Sequence, residues 1–172
     1  MSLKFTIMAG GTGGHVYPAL AVAQELRARG HEIRWMGAPQ SFEARVVPQN
    51  GFNIDTIRVS GLRGKGLMKL LQAPLLIWRA VMDARDILRR EQPDVVLGMG
   101  GFAAGPGGIA ARLAGLPLVI HEQNAAAGFT NRCLARVASV VLQAFPNTFA
   151  KGQTVGNPVR TGFAELPAPA QR

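Results

Sequence analysis

The residues of this chain best suited to chemistry stand at the ends of two apolar, strand-like runs. His15 closes the cluster Gly10-Gly11-Thr12-Gly13-Gly14 after Phe5-Thr6-Ile7-Met8, and His121-Glu122-Gln123-Asn124 follows Leu118-Val119-Ile120. An imidazole at a helix N-terminus is held neutral by the positive end of the helix dipole. His15 then takes a proton as a base, donates a hydrogen bond to a ligand oxygen, or serves as a structural cap; its position leaves all three open. Glu122 is a general base if burial raises its pKa, and otherwise a carboxylate that stabilises a local turn. Asn124 suits a ligand hydroxyl or amide. Asn131 either plays a similar part or faces solvent. His31, after Gly30, reads as a solvated turn residue.

Glycine is expensive in regular structure because it loses the most backbone freedom on folding. It is nevertheless concentrated in two places here. One is the cluster before His15; the other runs from Gly98-Met99-Gly100-Gly101-Phe102 through Gly105-Pro106-Gly107-Gly108, after Asp94-Val95-Val96-Leu97. Such loops let backbone N–H groups at a helix start approach an anion. Two of them imply a cleft for a ligand carrying phosphate or sugar phosphate. The alternative is a pair of tight strand-to-helix turns without a ligand.

Several familiar chemistries fit poorly. A dinucleotide fingerprint starting at Gly11 needs glycine where Val16 stands, and Met36-Gly37-Ala38 offers no acid for a ribose. A phosphate-binding lysine is replaced by His15. There is no Cys/His cluster with zinc spacing and no Asp-x-Asp pair, so no metal or cofactor is expected. Cys133 falls mid-helix and no nucleophile elbow exists. The net charge of +9 across 172 residues, from 19 Lys and Arg against 10 Asp and Glu, favours anionic partners. No basic stripe interleaved with aromatics accompanies it, which leaves nucleic-acid binding by a non-enzymatic Rossmann-like module as the weaker alternative.

Strand-like and helical stretches must alternate to hold these residues. Strands are expected at 5–8, 33–36, 53–59, 95–97, 118–121 and 140–142, with a last short one near Val155. Helices are expected at 16–29, from Ser41 as cap to about 47, at 67–90 with Pro74 as a candidate break, and at 104–114 and 130–137. The alternation predicts an α/β fold, a doubly wound parallel sheet with ligands beyond the carboxyl ends of its strands. Residues 1–155 form the domain; 156–172 are proline-rich and aperiodic and read as a linker or tail. A lone cysteine, no signal-like N-terminus and no apolar run near the roughly 20 residues that span a bilayer point to a soluble cytoplasmic protein. The 67–90 stretch is both apolar and basic, the composition of a helix on an anionic membrane and also of an ordinary packed helix.

Together these segments resemble the MurG family of peptidoglycan glycosyltransferases. To those above are added Ser60-Gly61-Leu62-Arg63-Gly64-Lys65-Gly66, Gln143-Ala144-Phe145-Pro146 and Gly156-Asn157-Pro158-Val159-Arg160. The resemblance covers nearly the whole chain but only about the first half of a typical member. It implies the N-terminal, acceptor-binding half of a GT-B glycosyltransferase. Such an enzyme transfers N-acetylglucosamine from UDP-N-acetylglucosamine to the C4 hydroxyl of the muramyl sugar of lipid I, with inversion, giving lipid II. It works peripherally on the cytoplasmic face of the inner membrane, without nucleic acid. By that resemblance, Thr12, Gly13, Gly14, Asn124 and Arg160 contact the donor, and His15 and Glu122 are catalytic. Gly100, Gly101, Phe102, Gly105, His121 and Asn131 serve the acceptor and its pyrophosphate. Leu75, Leu76, Trp78, Arg79 and Met82 touch the membrane. Phe102 stands where many relatives carry tyrosine, so no role there rests on a phenolic hydroxyl. The half alone is expected to be inactive.

Overall fold

The computed structural model describes residues 1–59 and 67–159, with the backbone alone over 67–71. The order is β1 (Lys4–Met8), α1 (Gly13–Ala28), β2 (Glu32–Gly37), α2 (Phe42–Gln49), β3 (Asn53–Thr56), α3 (Leu67–Glu91), β4 (Val95–Gly98), α4 (Ala104–Leu113), β5 (Leu118–Glu122), α5 (Phe129–Leu134), β6 (Val140–Gln143) and β7 (Gln153–Thr154). All pairings are parallel and the sheet order is β3-β2-β1-β4-β5-β6-β7. The expected doubly wound sheet is therefore present. The chain builds outward from β1 in one direction, then crosses to β4 and builds outward in the other. The reversal lies between β1 and β4, where this class of sheet opens a crevice. Both glycine clusters leave the sheet at that point.

Strand side chains alternate between faces, and the sheet accordingly separates two apolar cores. Ile7 and Trp35 pack with Val16, Leu20 and Ala23 of α1 and Val47 of α2. Met8, Met36, Val96 and Ile120 pack on the other side with Ala80, Ala84 and Leu88 of α3, Ala110 of α4 and Leu134 of α5. Trp35 is fully enclosed and donates its indole N–H to the Ala9 carbonyl at 3.1 Å, tying β2 beneath the first glycine loop.

Differences from expectation fall at element ends. α1 starts at Gly13 rather than residue 16, so the second half of the glycine cluster is the helix's own first turn. β3 stops at Thr56: the Ile57 N–H makes the last ladder bond, to the Gly37 carbonyl at 3.0 Å, and Val59 then closes a tight turn onto Ile57. α3 runs through Pro74, which lies on the exposed side, where water can satisfy the carbonyl that proline leaves without a donor. α5 ends at Leu134 instead of near 137, and β7 ends one residue before Val155, which still donates to the Gln143 carbonyl. Ser41 caps α2 as expected, accepting from the Ala44 N–H at 3.2 Å.

Candidate functional site

The two glycine loops are packed against each other. The Gly10 N–H donates to the Gly100 carbonyl at 3.3 Å. Gly101 has φ +89°, and a Cβ there would strike the Gly10 backbone. Gly100 has φ +98°, and a Cβ there would lie 2.8 Å from the His15 ring. Much of the glycine is thus explained by protein packing protein: Gly107 makes room for the Met8 sulfur, Gly108 for Leu134, and Gly10 for the Glu43 carboxylate. The positions that remain open are Gly11, Gly14 and Gly105, where an added Cβ would meet nothing closer than 3.6 Å.

Beside those open positions lie helix N-termini with unused donors. Among the described residues, the N–H groups of Gly13 and Gly14 at α1 and of Ala104 and Gly105 at α4 have no protein acceptor. Neither first turn carries an acidic residue, and Pro106 removes a donor that would be unpaired anyway. Thr12 is the exposed N-cap of α1, and its side chain makes no cap hydrogen bond. Phe102 is half exposed and flanks Gly11.

Glu43 supports the first loop from α2. It is buried and accepts from the Gly11 N–H at 3.0 Å and the Ala38 N–H at 3.1 Å. Gly37 leaves the space its side chain fills. The sequence signal was the missing acid at the end of β2: that place is glycine because a carboxylate arrives there from the next helix.

His15 leans across the crevice onto β5. Its Nδ1 lies 2.9 Å from Gln123 Oε1. The Gln123 Nε2 donates to the His121 carbonyl and reaches His121 Nδ1, each at 3.1 Å, and His121 Nε2 contacts the Gly156 carbonyl at 3.0 Å. Burial pushes the His121 imidazole below its ordinary pKa, against the Gly156 carbonyl and the Glu122 charge, which favour the protonated ring. His121 and Gln123 are both enclosed, so His121 lies beneath His15 instead of facing the crevice.

Glu122 lies on the opposite face of β5 and is fully buried. Oε1 accepts from the Asn124 N–H at 3.0 Å and its Nδ2 at 2.9 Å; Oε2 accepts from the Gly128 N–H at 3.0 Å and Asn131 Nδ2 at 2.9 Å. Burial acts to raise its pKa, but these donors outweigh it and hold the carboxyl below its usual value. The condition on which Glu122 would act as a general base, a pKa raised by burial, is not met. Of the two readings open for this residue, the geometry favours the turn-stabilising carboxylate. Asn131 is buried rather than solvent-facing and also donates to the His121 carbonyl; its Oδ1 has no partner. Asn124 is exposed at the strand end, with its Nδ2 committed to Glu122.

On α3, Leu75, Trp78, Arg79 and Met82 share one stripe at i, i+3, i+4 and i+7. Leu75 and Trp78 are 49% and 60% exposed. Leu76 instead turns, with Ile77, into an apolar groove of about 850 Å³ that Phe102, Ile109 and Phe129 also line. Arg160 lies outside the described residues, as do residues 60–66 of the basic loop. Among the described residues, no group of three or more metal-ligating side chains stands together, and no helix is long and apolar enough to cross a membrane.

Known proteins resemble this chain in sequence and fold. A protein from Serratia proteamaculans is 59% identical over 169 residues, and one from Haemophilus ducreyi is 58% identical over 172. Both are named UDP-N-acetylglucosamine–N-acetylmuramyl-(pentapeptide) pyrophosphoryl-undecaprenol N-acetylglucosamine transferase. They match 98% and 100% of this chain and 48% of their own length, so the chain spans about half the length of these curated relatives. The crystal structure of MurG from Acinetobacter baumannii superposes with a TM-score of 0.81 at 46% identity, covering 90% of this chain and 45% of that one. A Streptomyces glycosyltransferase at 16% identity and TM-score 0.65, matched over 89% of this chain and 53% of its own, shares the fold alone. The model of the glycosyltransferase family 28 N-terminal domain matches residues 5–143, and the chain belongs to that family.

Proposed function

We propose that this chain is the acceptor-side half of an inverting N-acetylglucosaminyltransferase that converts lipid I to lipid II with UDP-N-acetylglucosamine. Residues 1–155 act as the acceptor domain and 156–172 as the link to a donor domain. The observation that carries the reading is an imidazole between two helix starts whose first N–H groups have no protein acceptor. His15 packs on Gly100, with the free amides of α1 on one side of the crevice and those of α4 on the other. The names of relatives 59% identical over nearly the whole chain supply the substrates.

In this mechanism the C4 hydroxyl oxygen of the acceptor attacks the anomeric carbon of the donor. Its proton passes to His15 Nε2, the bond from the anomeric carbon to the diphosphate oxygen breaks, and UDP leaves with the electron pair. Attack opposite the leaving group inverts the centre. The α1 start at Gly13 and Gly14 faces the donor diphosphate, joined by Thr12, Asn124 and Arg160. The α4 start with Gly100, Gly101, Phe102 and Gly105 holds the pyrophosphate of the lipid. Glu122, His121 and Asn131 shape the floor without touching substrate. The stripe Leu75, Trp78, Arg79 and Met82, with Leu76 at the groove edge, rests on the cytoplasmic face of the membrane.

The test is transfer of labelled N-acetylglucosamine to lipid I by the full-length enzyme. A general base contributes about 10²- to 10⁴-fold, so His15→Ala should lower kcat within that range. Near-normal turnover would remove His15 from the reaction. The 172-residue chain alone should show no transfer and bind the donor weakly by calorimetry.

A further inference from the structure

We infer that Gln123 is a positioning residue that fixes the His15 tautomer, placing the proton on Nδ1 and leaving the Nε2 lone pair for the acceptor hydroxyl. This rests on the reading of His15 as the base. The argument begins at the far end of the chain of contacts. A backbone carbonyl only accepts hydrogen bonds, so the contact at 3.0 Å between His121 Nε2 and the Gly156 carbonyl puts a proton on Nε2. Burial keeps this ring neutral, so His121 Nδ1 is an acceptor.

The Gln123 side-chain amide is then oriented by two independent partners. One of its terminal atoms lies 3.1 Å from both His121 Nδ1 and the His121 carbonyl. Both are acceptors, so that atom must be the NH2 group. The opposite terminal atom, facing His15 at 2.9 Å, must be the oxygen. An amide oxygen accepts only, so His15 Nδ1 carries its proton. A neutral imidazole has one N–H, and the lone pair therefore sits on Nε2. That nitrogen has no hydrogen-bond partner among the described residues and is not among their enclosed, unpartnered polar atoms.

Each alternative assignment leaves a clash. Turning the amide over would set its oxygen against the His121 carbonyl and the His121 Nδ1 lone pair, within an enclosed pocket where an unmade hydrogen bond is expensive. Placing the His15 proton on Nε2 would set Nδ1 against the Gln123 oxygen. The order Gly156 carbonyl, His121, Gln123, His15 is a single consistent polarity. It also anchors the tautomer to Gly156, at the point where the chain leaves β7 toward its C-terminal segment.

Long-range 15N spectra of the histidine rings in this chain read the tautomer directly, and only three histidines need assignment. His15→Ala identifies the relevant signals. His15 in the native chain should show a protonated-type Nδ1 and an unprotonated-type Nε2. Gln123→Leu should bring in the Nε2–H form. In the full-length enzyme, Gln123→Leu should lower kcat roughly 10- to 100-fold, with the donor KM within about twofold. An Nε2–H His15 in the native chain, Nδ1–H persisting in Gln123→Leu, or an unchanged kcat in that variant overturns the inference. The native-chain measurement needs no variant to fold. A confirmed tautomer in an enzyme whose His15→Ala form keeps full turnover would instead overturn the assignment of His15 as the base.

Discussion

At the scale of single residues, two buried carboxylates are taken up by backbone and side-chain amides. Glu122 receives four hydrogen bonds and Glu43 two. Removing the Glu122 acceptor leaves buried donors without partners, at about 1–3 kcal/mol for an unsatisfied group. Glu122→Ala should therefore destabilise the chain by roughly 3 kcal/mol in urea unfolding. The pH dependence follows from the direction of its shift. Its folded pKa lies below the unfolded value, so its contribution is complete above the unfolded value of about 4.3 and is lost as pH falls through the folded one. Acid titration of stability should steepen below about pH 4.5 in the native chain and flatten in Glu122→Ala. Unchanged acid sensitivity would show that the cage does not stabilise the ionised form. His15 was visible in the sequence as an imidazole beside a glycine-rich helix start. Gln123 was not, because its meaning depends on a contact with a residue 108 positions away and on which way an amide points. Glu122 was legible as polar and strand-terminal, but the direction of its pKa depends on how many donors converge, which spacing does not encode.

At the scale of elements, glycine counts alone overstate the ligand. The strand, loop, helix order around each cluster was readable from apolar runs and turn residues, and the parallel sheet follows from it. Which glycines face a neighbour and which face open space depends on β1 lying next to β4, a pairing across about 90 residues. The distinction separates two substitutions. Gly101→Ala would drive a Cβ into the Gly10 backbone at a left-handed φ, so it should cost about 1–3 kcal/mol or more and disturb both loops. Gly105→Ala places its Cβ 3.6 Å from Thr130 Cγ2 in the first turn of α4. Helix propensity there favours alanine over glycine by about 0.5–1 kcal/mol, so stability should hold or rise. If the α4 start binds the lipid pyrophosphate, that same methyl should raise the lipid I KM roughly tenfold in the full-length enzyme while the donor KM stays put. Equal KM values for both substrates before and after substitution would place the pyrophosphate elsewhere.

For the whole molecule, the sheet puts its two halves to different uses. The α1 and α2 side carries His15, and the α3, α4 and α5 side carries the apolar groove and the exposed stripe of α3. Both faces meet at the crevice between β1 and β4; if α4 holds the pyrophosphate of the proposed acceptor, its hydrocarbon tail would run along the groove while its sugar reaches His15. The proposal then sets the α3 side against the bilayer. The chain contains two tryptophans, Trp35 fully buried and Trp78 60% exposed, so fluorescence changes on adding vesicles report Trp78. Vesicles containing anionic lipid should shift the emission to shorter wavelength. High salt should reverse most of the effect, since each basic residue near such a surface contributes about 1 kcal/mol. Trp78→Ala with Leu75→Ala should weaken sedimentation with the vesicles at least tenfold, as burial of either large apolar side chain is worth roughly 1.5–3 kcal/mol. Arg79→Glu should act chiefly through the anionic component, weakening binding to charged vesicles and leaving neutral ones unaffected. An emission spectrum indifferent to anionic vesicles would mean that this stripe faces another surface.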